Sequence, residues 1–97
     1  MDPISHAIAF PNPFFHEVRI ACYLKETGKV DVSIYDESGN KVWSVSTNPI
    51  GIGYNEVGWD GKDTNGIQVM PGMYTCIISQ QQNGGSLRIL SGVLVKR

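Results

Sequence analysis

Few residues in this 97-residue chain are equipped for chemistry. The densest group is "GWDGKDTNG" at residues 58–66, where Asp60, Asp63 and Asn65 stand between glycines just after Trp59. Hard oxygens spaced by glycine are the material of Ca²⁺ loops, which makes these three the weak metal candidates. The spacing is not that of an EF-hand, because the D-x-D-x-D-G run and its downstream glutamate are missing. The competing reading is a chain reversal whose Asp and Asn oxygens accept from their own backbone N–H groups. Asp36/Glu37 and Asp60/Asp63 are the candidate carboxylate pairs for glycosidase-type acid–base work, and both sit in glycine-containing turns. For nucleophilic catalysis there is no Gly-x-Ser-x-Gly elbow. His6 falls in what reads as a leader, and His16 at the entrance to a strand. Neither C-x₂-C nor H-x₃-H spacing offers a zinc site. The expectation is no enzymatic activity, no metal and no cofactor.

Binding is the next class of chemistry. Trp43, Trp59, Tyr23, Tyr35 and Tyr54 are the aromatics that could form a platform for a carbohydrate or a partner protein, and Tyr23, Tyr35 and Trp43 are the candidates carried forward. Tyr23 and Tyr35 fall out of phase with the apolar sets of their segments, which predicts partial exposure, on one sheet surface. Trp43 lies between Val42 and Val45 and reads either way. Trp59 is in phase with Val57 and reads as core.

Cys22 and Cys76 are the only cysteines. Each is in phase with the apolar residues of its segment. They would face each other across a sandwich as the B–F bridge does in antibody domains, and Tyr74 precedes Cys76 at the spacing of a tyrosine corner. No tryptophan stands on the third strand, where an antibody domain carries one. Two buried thiols packed as small hydrophobes are the alternative to a bridge.

The elements that position these residues read as strands. Turn chemistry recurs at "PNP" (11–13), "ETGK" (26–29), "DESGN" (36–40), "NPIGIG" (48–53), "DGKDTNG" (60–66), "MPG" (70–72) and "QNGG" (82–85). Between these turns, side chains alternate with period two. Val18, Ile20, Cys22 and Leu24 share one face, and Arg19, Ala21 and Tyr23 the other. Val30, Val32 and Ile34 form a second apolar set, and Tyr74, Cys76 and Ile78 a third. Leu87, Ile89, Val93 and Val95 form a fourth, with Gly92 as a bulge. About seven short strands predict an all-β, seven-stranded antiparallel β-sandwich; a small closed barrel is the alternative. Residues 1–7 read as a leader or linker remnant and residues 8–97 as the domain.

Bulk properties exclude several partners. Eight Lys/Arg against nine Asp/Glu leave no basic stripe for nucleic acid. No apolar run is long enough for a membrane-spanning helix. No secretion signal stands at the N-terminus, so export would rely on a signal elsewhere in a longer parent chain.

Several fragments together carry a family likeness. They are "FPNPF" (10–14), "VRIACYL" (18–24), "VDVSIYDESGNKV" (30–42), "YNEVGWDGKDTNG" (54–66), "MPGMYTCII" (70–78) and "GVLVKR" (92–97). In this combination the chain resembles the immunoglobulin-like domain of the flagellar hook-capping FlgD-type family. It is also similar to the C-terminal sorting domains of type IX secretion substrates. The resemblance implies an immunoglobulin or fibronectin III-like sandwich without activity of its own. It implies an extracellular or cell-surface bacterial module that caps, spaces, sorts or attaches a larger exported protein. The partners implied are the rest of that polypeptide, or secretion and surface machinery; polysaccharide binding and flagellar hook assembly are the alternatives. The structural landmarks are Pro11, Pro13, Trp59, Gly61, Gly66, Pro71, Gly72 and Tyr74. Cys22 and Cys76 depart from the family, which often carries larger residues at those positions.

Physical chemistry gives these landmarks separate reasons. Pro11 and Pro13 fix φ and lack N–H donors, which suits an edge. Glycine at 39, 61 and 66 supplies positive φ, and Pro71-Gly72 reads as a type II turn.

Overall fold

Period-two alternation of apolar residues builds two sheets that bury one face each. A computed structural model describes the backbone of residues 4–24, 28–47, 52–81 and 87–97, and the side chains of 8–24, 28–47, 52–80 and 91–97. The strands are β1 (Ile4–Phe10), β2 (Val18–Leu24), β3 (Val30–Tyr35), β4 (Lys41–Ser46), β5 (Gly53–Trp59), β6 (Gly72–Gln81) and β7 (Leu87–Lys96). One sheet has the order β1-β2-β5, the other β4-β3-β6-β7. All strand pairs are antiparallel. This is the expected immunoglobulin-like sandwich, and no helix occurs among the described residues.

The inward faces are those that the alternation marks. Val18, Ile20, Cys22 and Leu24 meet Val30, Val32, Ile34, Tyr74, Cys76 and Ile78 in one core. Phe14, Trp59 and Leu94 complete it. Ala21 points the other way but is buried all the same. It is small and sits at the centre of the three-stranded sheet, paired with Ile8 and Glu56.

Three expectations need correction. The boundary at residue 8 cuts through β1, which begins at Ile4. His6 therefore lies in a strand, not a leader, opposite Tyr23. "ISHAIAF" mixes small, polar and apolar residues with little contrast, so the ladder to β2 declares this strand more clearly than its own pattern does. The second correction is at β7. Leu94 and Lys96 are buried, whereas Val93 is 51% exposed and Val95 only partly covered. Adjacent valines and leucine make both phases of this strand look apolar, and the larger Leu94 takes the inside. Pairing with β6 runs without a shift from Gly72–Lys96 to Gln81–Leu87, so Gly92 is no bulge. The expected orientations of Leu87 and Ile89 lie outside the described residues, as do most of the turns at 48–53 and 82–85 and the start of that at 26–29. The third correction concerns Pro71-Gly72. Gly72 opens β6 with φ +155°, far from the roughly +80° that a type II turn needs at that position.

Candidate functional site

Asp60 and Asp63 spend their oxygens locally. Asp60 Oδ1 accepts from the Lys62 N–H at 3.1 Å. Asp63 Oδ1 accepts from the N–H groups of Asn65 and Ile67 at 2.9 and 3.0 Å. The reversal is closed by backbone bonds from Asp63 to the Ile67 carbonyl and from Gly66 to the Asp63 carbonyl. A carboxylate holding two amides in a tight turn is doing the work of an Asx turn. Asn65 contributes its backbone amide to the same turn. No group of three or more His, Cys, Asp or Glu capable of holding a metal occurs among the described residues.

The turn at residues 36–40 repeats the device. Asp36 Oδ1 accepts from Ser38 and Asn40, both at 2.9 Å. Gly39 donates to the Asp36 carbonyl, and Asp36 to that of Asn40. Glu37 turns away and accepts from the Met73 N–H at 3.2 Å, tying this turn to the start of β6. In both candidate pairs each carboxylate thus accepts from a backbone N–H.

Trp59 is the hub of the loop end. Its ring lies 5.7 Å from Phe14, 6.1 Å from Trp43 and 5.8 Å from Tyr74, between centroids. Its Nε1 donates to the Lys62 carbonyl at 2.9 Å, pinning the turn to the core. Gly61, next in line, has φ +75° and is buried, and a Cβ there would stand 2.7 Å from the Gln68 amide nitrogen. Val69 donates to the Gly61 carbonyl, and Thr64 to that of Val42 on β4, so residues 61–69 form a small hairpin docked on the four-stranded sheet. Tyr74 Oη donates to the Met70 carbonyl at 2.5 Å. That bond and its place two residues before Cys76 make it a tyrosine corner. Burial pushes the Tyr74 hydroxyl up from its ordinary pKa, helped by the charges of Asp36 and Glu37.

The aromatic platform does not assemble. Tyr23 lies on the outer face of the three-stranded sheet, out of phase with Cys22 and Leu24. Tyr35 lies on the outer face of the other sheet, out of phase with Ile34. The expected single surface is thus two opposite ones, because the two residues belong to different layers. Trp43 pairs with Ile34 and stacks on Trp59, so it faces inward. The companion of Tyr23 is Tyr54, its cross-strand partner, 58% exposed and donating to Glu56 at 2.7 Å.

The side between β1 and β7 holds what the sequence did not disclose. A cavity of about 360 Å³ opens there, floored by Ile20, Cys76, Ile78 and Leu94 with Ile8 and Val93 at its lips. The segment from Pro11 to Phe14 seals the lower half of the β7 edge. Asn12 Nδ2 donates to the Val93 carbonyl at 2.8 Å, and its Oδ1 accepts from the Val95 N–H at 2.9 Å. Phe14 donates to the Val95 carbonyl and accepts from the Arg97 N–H. The bonds Phe10–Pro11 and Asn12–Pro13 are both cis. Pro11 and Pro13 flank Asn12, whose side chain stands in for a strand at the β7 edge. Lys96 turns inward, and its Nζ donates to the Phe15 carbonyl at 2.6 Å, 5.8 Å from the centre of the Phe14 ring. An inward lysine in the last strand carries no signal in an alternation of valines and leucines. Cys22 and Cys76 are both buried free thiols. Burial pushes both thiols up, that of Cys76 to about 12 with a further push from Cys22.

Comparison with known proteins adds to this geometry. The family model of the FlgD Ig-like domain matches residues 15–84. No curated protein matches the sequence. Among solved structures, FlgD from P. aeruginosa is similar at TM-score 0.70 and 25% identity, over 80% of this chain and 59% of that one. The dimeric latent PorU from Porphyromonas gingivalis is similar at TM-score 0.73 and 24% identity, over 93% of this chain and 9% of that one. PorZ, described as a surface component of the type-IX secretion system of Porphyromonas gingivalis, is similar at TM-score 0.55 and 16% identity, over 94% of this chain and 11% of that one. The chain therefore spans about three-fifths of that FlgD chain and about a tenth of the other two.

Proposed function

Because this chain belongs to the FlgD Ig-like domain family, we propose that it is a non-catalytic structural or accessory module of a larger exported bacterial protein. Its task there is that of a cap, a spacer, or a sorting or attachment element at the cell surface. The carrying observation is where its distinctive groups are spent. Trp59, Asp60, Asp63 and Tyr74 all bond to backbone within a few residues, so the signature motifs serve the framework. The likeness in fold to PorZ, described as a bacterial surface component, supports the surface setting. The partners would be the remainder of the parent polypeptide and the secretion machinery. No helix of the described residues is long and apolar enough to cross a membrane.

The test is a fusion. The chain is joined to the C-terminus of a periplasmic reporter in Porphyromonas gingivalis, beside the reporter alone. Surface accumulation of the fusion is the expected result, and retention of both in the periplasm rejects the sorting role. The FlgD likeness favours a second reading, flagellar hook assembly. Replacing the Ig-like domain of P. aeruginosa FlgD by this chain separates the two: restored motility supports hook assembly, and loss of motility removes it.

A further inference from the structure

The two cysteines occupy matched places in the sandwich. Cys22 is on β2, flanked in its sheet by β1 and β5, and Cys76 is on β6, flanked by β3 and β7. Each is thus on a strand with neighbours on both sides, in phase with buried residues, and both belong to one core. The β7 partner of Cys76 is Gly92, which sets no side chain beside it. Cys76 also lines the cavity between β1 and β7, so open volume lies next to this residue. Facing sheets normally stand about 10 Å apart, and a disulfide needs its Cα atoms within about 7 Å. Small residues beside free volume are what allow such an approach.

We propose that Cys22 and Cys76 are a redox pair, which oxidation joins into a disulfide that staples the three-stranded sheet to the four-stranded one. The oxidant is a small aliphatic disulfide, and the cavity is its way in. The Cys76 thiolate attacks one sulfur of the oxidant, the oxidant's S–S bond breaks, and one small thiol leaves. Cys22, deprotonated in turn, attacks the Cys76 sulfur of the mixed disulfide and expels the second small thiol. The protein loses two electrons and two protons, and the oxidant is reduced to two thiols. Because a thiol held near 12 is almost all protonated at neutral pH, reaction of the folded protein is slow and speeds up with rising pH.

The test uses the whole chain. One sample is incubated folded with hydroxyethyl disulfide at mildly alkaline pH; a second is refolded from urea in the same reagent, so that access to the core is not limiting. Free thiols are counted in denaturant, and intact mass and a non-reducing peptide map are recorded. The expected result is a monomer lighter by two hydrogen atoms, without free thiols, yielding one linked peptide pair that carries Cys22 and Cys76. Its Tm rises by roughly 10 °C or more over the reduced form, and dithiothreitol reverses the change. Two thiols persisting in both samples overturn the proposal, as do adducts of the reagent on both cysteines, or bridges found only between chains. The wild-type map decides the matter without relying on variants. Where Cys22→Ser and Cys76→Ser fold, each is expected to lose the mass change and the Tm rise.

Discussion

At Trp59 one side chain meets Phe14, Trp43 and Tyr74 and also donates from Nε1 to the Lys62 carbonyl. Packing and anchoring can be separated by substitution. Trp59→Ala removes the ring and the bond together, and a core deletion of this size costs roughly 3–5 kcal/mol. Trp59→Phe keeps much of the apolar volume and loses the bond, so it should cost less, about 1–3 kcal/mol. Urea unfolding of the three proteins checks both values, and a loss under about 1 kcal/mol for Trp59→Ala would sink the hub reading. The core assignment of Trp59 was legible from its phase with Val57. That of Trp43 was not, because its strand is flanked by valines of both phases. Its direction is set by pairing with Ile34, a contact between separate segments.

Two turns use one five-residue device. In "DESGN" and "DTNGI" the leading aspartate accepts from the amides two and four residues on, and the glycine at the fourth position donates to its carbonyl. Both glycines sit at positive φ, +88° at Gly39 and +81° at Gly66, where a Cβ would strain the backbone. The aspartates are only partly buried and their bonds are solvent-exposed, so these contribute at the scale of a helix cap, not of a buried ion pair. Asp36→Ala and Asp63→Ala are each expected to cost about 1 kcal/mol, while Asn at either position retains most of the stability because it keeps the acceptor. Melts of the four variants, with and without EGTA, make the check. A Tm that falls on chelation of the wild type would return the second turn to the metal reading. Turns and strands were readable in the sequence because Asp, Asn, Gly and period-two alternation act locally. The inner phase of β7 and the start of β1 were not. Both depend on which neighbour a strand finds, and that choice lies in the ladder to β6 or β2.

The whole sandwich holds titratable groups between its layers, and this sets how it responds to alkali. Cys76 is raised from 9.0 to about 12, mainly by burial. Cys22 and Tyr74 are raised too. A group whose folded pKa lies above its unfolded one favours the folded chain at low pH. Below pH 9 the thiol is protonated in both states and this contribution is complete. Between pH 9 and about 12 the unfolded chain releases the proton while the folded chain still holds it, so stability falls through that window. Three pKa units at about 1.4 kcal/mol each put the loss from Cys76 on the order of 4 kcal/mol across it. The reduced protein should therefore melt at steadily lower temperature as pH rises from 9, and Cys76→Val should flatten that decline even if its Tm at pH 7 is lower. Equal slopes for the two reduced proteins would mean that Cys76 titrates as it does in the unfolded chain. A bridge to Cys22 removes both thiols at once, so an oxidised sample should show the same flattening with no substitution. The alkaline melt thus reads the state of the interface between the sheets as well as the protonation of one side chain.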